Sequence, residues 1–376
     1  SSLHYFYSTA ITSPKHTQEM PKDKRNAGVG RWKAPTAQAL VGLLTGAREV
    51  RFEIVPGGHL GMLTGRAARR LSAPLRVVSL LPSATEIAVA VGLGEQLLGR
   101  SHECDFPRFV GDLPVLTSTK LEKGLTSLEI DVRVQEIVRQ GLSVYAVDTE
   151  RLRAIRPDVI LTQSQCAVCA VTPADLVDAL DQWTGTQPVL VSLAPDDLSD
   201  VWGDFARVGQ ATGREAEAAA AVAALKERMA ALEARVAASG ERPTVASIEW
   251  TEPLMAAGNW VPELVRIAGG EPLFAAAGQH SPWLEWDALA EADPDVIVMM
   301  PCGYQIPQTM RELGPVVNHP RWRDLKAVRD NRVFVADGHH FFNRPGPRLV
   351  ESAEILAACI DPAERRDAGE GWVRLG

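Results

Sequence analysis

Four of the five cysteines and three of the eight histidines in this 376-residue chain fall in short segments that follow candidate strands. His102 and Cys104 lie in Ser101-His102-Glu103-Cys104-Asp105, and Cys166 and Cys169 in Gln163-Ser164-Gln165-Cys166-Ala167-Val168-Cys169. Cys302 lies in Pro301-Cys302-Gly303-Tyr304, and His339 and His340 open Gly338-His339-His340-Phe341-Phe342-Asn343-Arg344. In parallel α/β sheets such strand-tip loops converge on one crevice, the usual place for a ligand. Thiolates gathered there favour zinc, copper(I) or an iron–sulfur centre, so Cys104, Cys166, Cys169 and Cys302 form a candidate metal set. The signal is partial, because one Cys-x-x-Cys is present and not the paired set of a zinc module. A redox pair at Cys166 and Cys169 is a further option, although the usual flanks of such a motif are missing. The plain alternative is four small buried thiols, since cysteine is among the most buried residue types.

His59 is a separate candidate. The run Glu49–Val55 alternates as a strand does and leads into Pro56-Gly57-Gly58-His59-Leu60-Gly61 and an Arg-rich stretch. These residues resemble the last strand and histidine loop of an α/β-hydrolase. A histidine base needs an activated nucleophile beside it, and no Gly-x-Ser-x-Gly elbow occurs in the chain. His59 therefore reads as a loop histidine in a hydrolase-like remnant, with no catalytic role.

The bulk properties set limits on the remaining classes. A net charge of -8 argues against a nucleic-acid binder. Hydrophobic residues at 46% and charged residues at 23% are globular values. No apolar run approaches the ~18 residues of a membrane span; the Ala-rich stretch near residues 216–238 is broken by Lys226, Glu227, Arg228, Glu233 and Arg235. An odd cysteine count and an opening without the order of a secretory signal point to a reducing cytoplasm, or to an extracytoplasmic site if the start is trimmed.

Positioning these residues requires alternating strands and helices, and the chain supplies them from Arg76 onward. Strands are predicted at Arg76–Leu81, Leu97–Arg100, Val144–Val147, Asp158–Thr162 and Val189–Leu193, then at Thr244–Glu249, Val296–Met300 and Val333–Ala336. Helices are predicted from Pro82, with Ser83 and Glu86 spaced as a capping box, and at Leu128–Arg139, Pro173–Trp183, Val261–Ala268, Trp286–Glu291 and Pro347–Cys359. The phrase Ala154–Ile160 is echoed by Glu291–Ile297, each with a helix ending before a proline and a strand after it, which implies two lobes of similar build. Between them Val222, Leu225, Met229, Leu232 and Val236 form one apolar stripe, and a helix over Arg214–Ala238 would be about 37 Å long. The division is residues 1–75 as a partly disordered extension, 76–198 as a first α/β lobe, 199–240 as a linking helix and 241–376 as a second lobe.

The run Arg76–Pro107, RVVSLLPSATEIAVAVGLGEQLLGRSHECDFP, resembles the opening of the substrate-binding proteins of ABC importers for vitamin B12 and iron-siderophores. The cobalamin-binding group is the most similar. Arg156-Pro157-Asp158-Val159-Ile160, Ala292–Val298 and Arg332–Gly338 extend the similarity over about 300 residues. The resemblance implies a non-enzymatic protein with two Rossmann-like α/β lobes joined by a rigid helix, the class III arrangement, and a ligand between the lobes. It also implies one exposed acidic residue per lobe that docks to arginines of the membrane subunit. Glu150 matches the first, and Asp287 falls where glutamate is usual.

For a cobalamin or related corrinoid, the loops after the strands would line the cleft: Pro82, Ser83, Ala84, Thr85, His102 and Cys104 in the first lobe, with Gln163, Gln165 and Cys166. Trp250, Trp260, Trp283, Phe341 and Phe342 could stack on the corrin face, beside Cys302 and Gly303. Gln163, Gln165, Asn343 and Arg344 could bond its amide fringe, and His339 or His340 could be an axial ligand to cobalt.

Overall fold

A computed structural model describes residues 52–54 and 60–62 and, from residue 74 on, all but 123, 141–142, 165–170, 177–182, 184, 238–239, 241 and 365–369. Residues 1–74 form a unit of their own, in which strands β1 (Phe52–Ile54) and β2 (Leu60–Met62) pair antiparallel. His59 lies outside the described residues.

Residues 75–376 form a single unit holding both lobes. In the first lobe, β3 (Val77–Ser79), β4 (Leu97–Arg100), β7 (Val159–Gln163) and β8 (Val189–Leu193) make a parallel sheet in the order β4-β3-β7-β8. A separate antiparallel pair joins β5 (Thr117–Thr119) to β6 (Tyr145–Val147). Its helices are α1 (Pro82–Ala90), α2 (Ser127–Arg139) and α3 (Thr149–Ile155). Of the helix predicted at Pro173–Trp183, a 3-10 turn at Pro173–Leu176 is described.

Two helices follow, α4 (Leu198–Thr212) and α5 (Glu215–Val236); α5 is the helix predicted over Arg214–Ala238, and α4 fills the earlier part of the segment assigned to the linker. Gly213 separates them at a φ of 69°, a left-handed position that glycine takes without strain.

In the second lobe β9 (Thr244–Thr251), β12 (Val296–Met299) and β13 (Val333–Ala336) run parallel. β10 (Leu254–Ala256) and β14 (Trp372–Arg374) flank them antiparallel, and the short β11 (Glu271–Pro272) pairs with the start of β9. Helices α6 (Val261–Ile267), α7 (Trp286–Ala292), α8 (Ile306–Glu312) and α9 (Leu349–Ile360) complete the lobe.

The echoed phrase has a structural cause. Arg156 and Asp293 end α3 and α7 in the left-handed conformation, with φ of 50° and 40°, and the following proline prevents further helix. The next aspartate then pins the first strand of its own lobe: Asp158 accepts the backbone N–H of Arg76 at 3.1 Å, and Asp295 that of Thr244 at 2.8 Å.

Helix α5 braces the unit. Ala218, Met229, Leu232 and Val236 are buried, with Val222 and Leu225 packed beside them. The same core cluster includes Val77 and Ile87 of the first lobe and Val245, Leu264 and Leu356 of the second, so the apolar interior is continuous through both. At 1.5 Å per residue α5 is about 33 Å long, enough to contact α1 on one side and α6 and α9 on the other. Arg228 fixes it further to Glu351 and Glu354, at 2.9 and 3.1 Å.

Candidate ligand-binding cleft

The loop after β4 meets the loop after β13. Asp105 of the first lobe accepts Arg344 Nη1 at 2.5 Å and Nη2 at 3.2 Å, and its Oδ2 lies 3.0 Å from His339 Nε2 and 3.4 Å from His340 Nε2. The two histidines stand on a single π-helical turn, Gly338–Phe342. Asp337 organises that turn, taking the His340 backbone N–H and approaching its ring Nδ1, both at 2.8 Å. A methyl group on Gly338 would collide with the backbone oxygens of Pro301 and Met300, so only glycine lets this turn pass over the β12 loop.

Deeper in the gap, Glu86 accepts Arg348 Nε at 2.8 Å and Nη2 at 2.5 Å, with Arg344 Nη1 at 3.4 Å. All three side chains are buried or nearly so. The guanidinium of Arg348 also lies 4.2 Å from the Phe106 ring of the first lobe and 5.4 Å from that of Phe341. A third inter-lobe contact is built on Ser127 at the start of α2, which receives Thr251 Oγ1 at 2.9 Å and donates its backbone N–H to Glu312 at 3.1 Å.

Electrostatics follow from this burial. Burial opposes ionisation of Asp105, but hydrogen bonds from His339, His340 and Arg344 outweigh it and hold the carboxyl well below its usual range. Hydrogen bonds to Asp105 and Asp337 lift His340 to about 9. Burial raises Glu103 to about 7, against the pull of Arg344. It raises Glu86 too, in spite of Arg348 and Arg344. The Cys104 thiol is pushed up to about 11 and that of Cys302 further, both by burial.

Several predicted contacts are corrected here. Ser83 and Glu86 form no capping box: α1 begins at Leu81 without a side-chain cap, and Glu86 faces Arg348 instead. The capping box of the first lobe is Thr126 with Glu129. Ser83, Ala84 and Thr85 are buried within α1, and Thr85 Oγ1 bonds Ser79, Leu81 and, at 3.1 Å, Cys104 Sγ. Trp260 and Phe342 belong to the core, the indole N–H donating to the Phe342 carbonyl at 2.9 Å, so neither offers a face to a ligand. His102 turns to Thr117, its Nδ1 2.8 Å from Oγ1. Gln163 is buried in β7. Gln165, Cys166 and Cys169 lie outside the described residues. Cys104 and Cys302 join no group of three ligating side chains among the described residues; the group found is Asp105, His339 and His340.

What remains around the gap is apolar rings with a charged centre. Phe106 is exposed at 42% and Phe341 is half-buried, while Trp250 lies tilted against the buried Tyr304 with centroids 5.2 Å apart. The Trp250 indole N–H is buried and unpartnered. A neighbouring pocket of about 310 Å³ is lined by Gly303, Gln305, Gln308, Arg311 and His339. Asp105, Phe106, Glu103, Asp337 and Arg348 were missed from sequence; the signal was two acidic residues in one strand-tip loop matched by two arginines in another.

The sequence profile of the periplasmic binding proteins matches residues 77–339, more than half of the chain. The chain belongs to that family. Its members are substrate-binding proteins and not enzymes. The chain is 25% identical over 286 residues to a vitamin B12-binding protein of Vibrio parahaemolyticus, covering 76% of this chain and 88% of the relative. It is 24% identical to an uncharacterised ABC transporter substrate-binding lipoprotein of Bacillus subtilis, covering 77% and 81%. Among solved structures, a periplasmic heme-binding protein of Pseudomonas aeruginosa matches with a TM-score of 0.59 at 21% identity, covering 81% of this chain and all of that one. The periplasmic vitamin B12-binding protein of Vibrio cholerae matches at 0.54 and 18%, covering 78% and 98%. These likenesses establish the class III fold of two α/β lobes for this binding protein.

The cytoplasmic expectation is overturned. Periplasmic and lipoprotein relatives point to an extracytoplasmic location, and a cysteine count by itself carries too little information to oppose them. No helix among the described residues is long and apolar enough to cross a membrane.

Proposed function

We propose that this binding protein takes a cobalamin or related corrinoid between its lobes and delivers it to the membrane permease of an ABC importer. The observation that carries the reading is the ring-lined gap, with Phe106 from one lobe and Phe341 from the other on the guanidinium of Arg348. Large-ligand sites are of this kind, mostly apolar with a few placed polar groups. The vitamin B12-binding relative supports the same ligand class. A corrin exceeds the pocket of about 310 Å³, so entry requires the Asp105–Arg344 and Phe106–Arg348 contacts to part.

Glu150 and Asp287 serve as the docking pair in this reading. Each is exposed in the first turn of its helix, α3 or α7, and each stands equally far ahead of the left-handed residue that ends the helix. Asp287 is held by Arg321 at 2.5 Å, a contact that a permease arginine would replace.

The test is a titration of the purified chain with cobalamin followed by visible absorption. Saturation at one corrinoid per chain is expected. No spectral or calorimetric change at high micromolar ligand would overturn the reading.

A further inference from the structure

We propose that Asp105, His339 and His340 bind one divalent transition-metal ion of the zinc type, bridging the two lobes. One ligand atom from each lies within 4.8 Å of the others. Asp105 Oδ2 is 3.0 Å from one imidazole Nε2 and 3.4 Å from the other. Tetrahedral zinc with bonds of about 2.0–2.2 Å sets its ligand atoms roughly 3.3–3.5 Å apart, so the ion fits with small adjustments.

A further observation points to a cation. The ring Nδ1 of His340 faces Asp337 Oδ2 at 2.8 Å, which leaves Nε2 aimed at the site. Metal-bound histidines are oriented by carboxylates in this way. Arg344 Nη2 lies 2.7 Å from His339 Nε2 and 3.2 Å from Asp105 Oδ2, so a guanidinium N–H stands where these two ligand atoms converge and gives up both contacts when the ion binds. Its Nη1 keeps Oδ1 of Asp105 and Glu86.

Two imidazoles and one carboxylate suit zinc and its late first-row neighbours. His339 also lines the adjacent pocket, which opens the remaining coordination position to water or to a ligand donor. The carboxylate comes from the first lobe and the imidazoles from the second, so the ion would hold the lobes together. The ion and a corrinoid would compete for the same gap, and failure of the zinc site leaves the cobalamin titration untouched.

The experiment is a zinc titration of the full chain, stripped with a chelator, in competition with a chromophoric chelator. One zinc per chain at micromolar affinity or better is expected. Asp105→Asn, His339→Ala and His340→Ala each weaken it at least about tenfold, and Asp337→Asn about 10–100-fold, with far-ultraviolet circular dichroism unchanged. All three ligands are partly exposed, and the near-isosteric Asp105→Asn keeps the test usable if an alanine variant misfolds. Cobalt(II) in place of zinc should give d–d bands without thiolate-to-metal charge transfer. Zinc affinity unchanged in Asp105→Asn and His339→Ala, a thiolate charge-transfer band, or no binding below millimolar zinc would each overturn the assignment.

Discussion

Glu86 stands three residues after Ser83, a spacing that invites a capping box, yet its carboxylate turns inward to Arg348 and Arg344 of the other lobe. The choice follows from burial. An exposed cap contributes about 1 kcal/mol, whereas a buried guanidinium left without its partner costs about 3–5 kcal/mol. Glu86→Ala is therefore expected to lower the unfolding free energy by about 3–5 kcal/mol, measured by urea denaturation. A loss below about 1 kcal/mol, typical of exposed pairs, would mean that water screens the pair. Asp105 shows the contrast. It is 41% exposed and still strongly acidic, because three donors from one opposing loop converge on it.

At the scale of elements, much was legible before the fold was known. β4, β8 and β13 begin and end at the residues predicted for them. β13 is buried along its whole length and reads as a continuous apolar run, and that signal is local. The stripe on α5 was local too, and Met229, Leu232 and Val236 are its buried part. The contacts that close the gap were not legible, because His339 and Asp105 are 234 residues apart in sequence. Nor does periodicity tell a core aromatic from a ligand-facing one, which is why Trp260 and Phe342 were misplaced while Phe106 went unnoticed. The π-helical turn after β13 depends on one glycine. Gly338→Ala forces backbone apart at the β12 loop and should cost about 1–3 kcal/mol, with His339 and His340 displaced. A melting temperature equal to that of the unsubstituted chain would contradict the tight crossing.

At the scale of the whole molecule, a continuous core and a helix of about 33 Å that touches both lobes favour small movements about the gap over wide hinge opening. The proposed docking residues Glu150 and Asp287 sit away from the core on exposed helix starts, so ligand capture and transporter recognition should separate if the proposal holds. Glu150→Lys combined with Asp287→Lys is expected to weaken binding to vesicles carrying the importer by about tenfold or more through like-charge contact, with cobalamin affinity unchanged. Equal binding of the reversed and unsubstituted chains would remove these residues from the interface. The central claim is that one gap between the lobes holds the ligand. Hydrogen–deuterium exchange with and without cyanocobalamin tests it most directly. Protection is predicted in the loops after β4, β12 and β13, around Asp105, Cys302 and His340. Protection confined to one lobe, or spread over surfaces remote from those loops, would contradict the account.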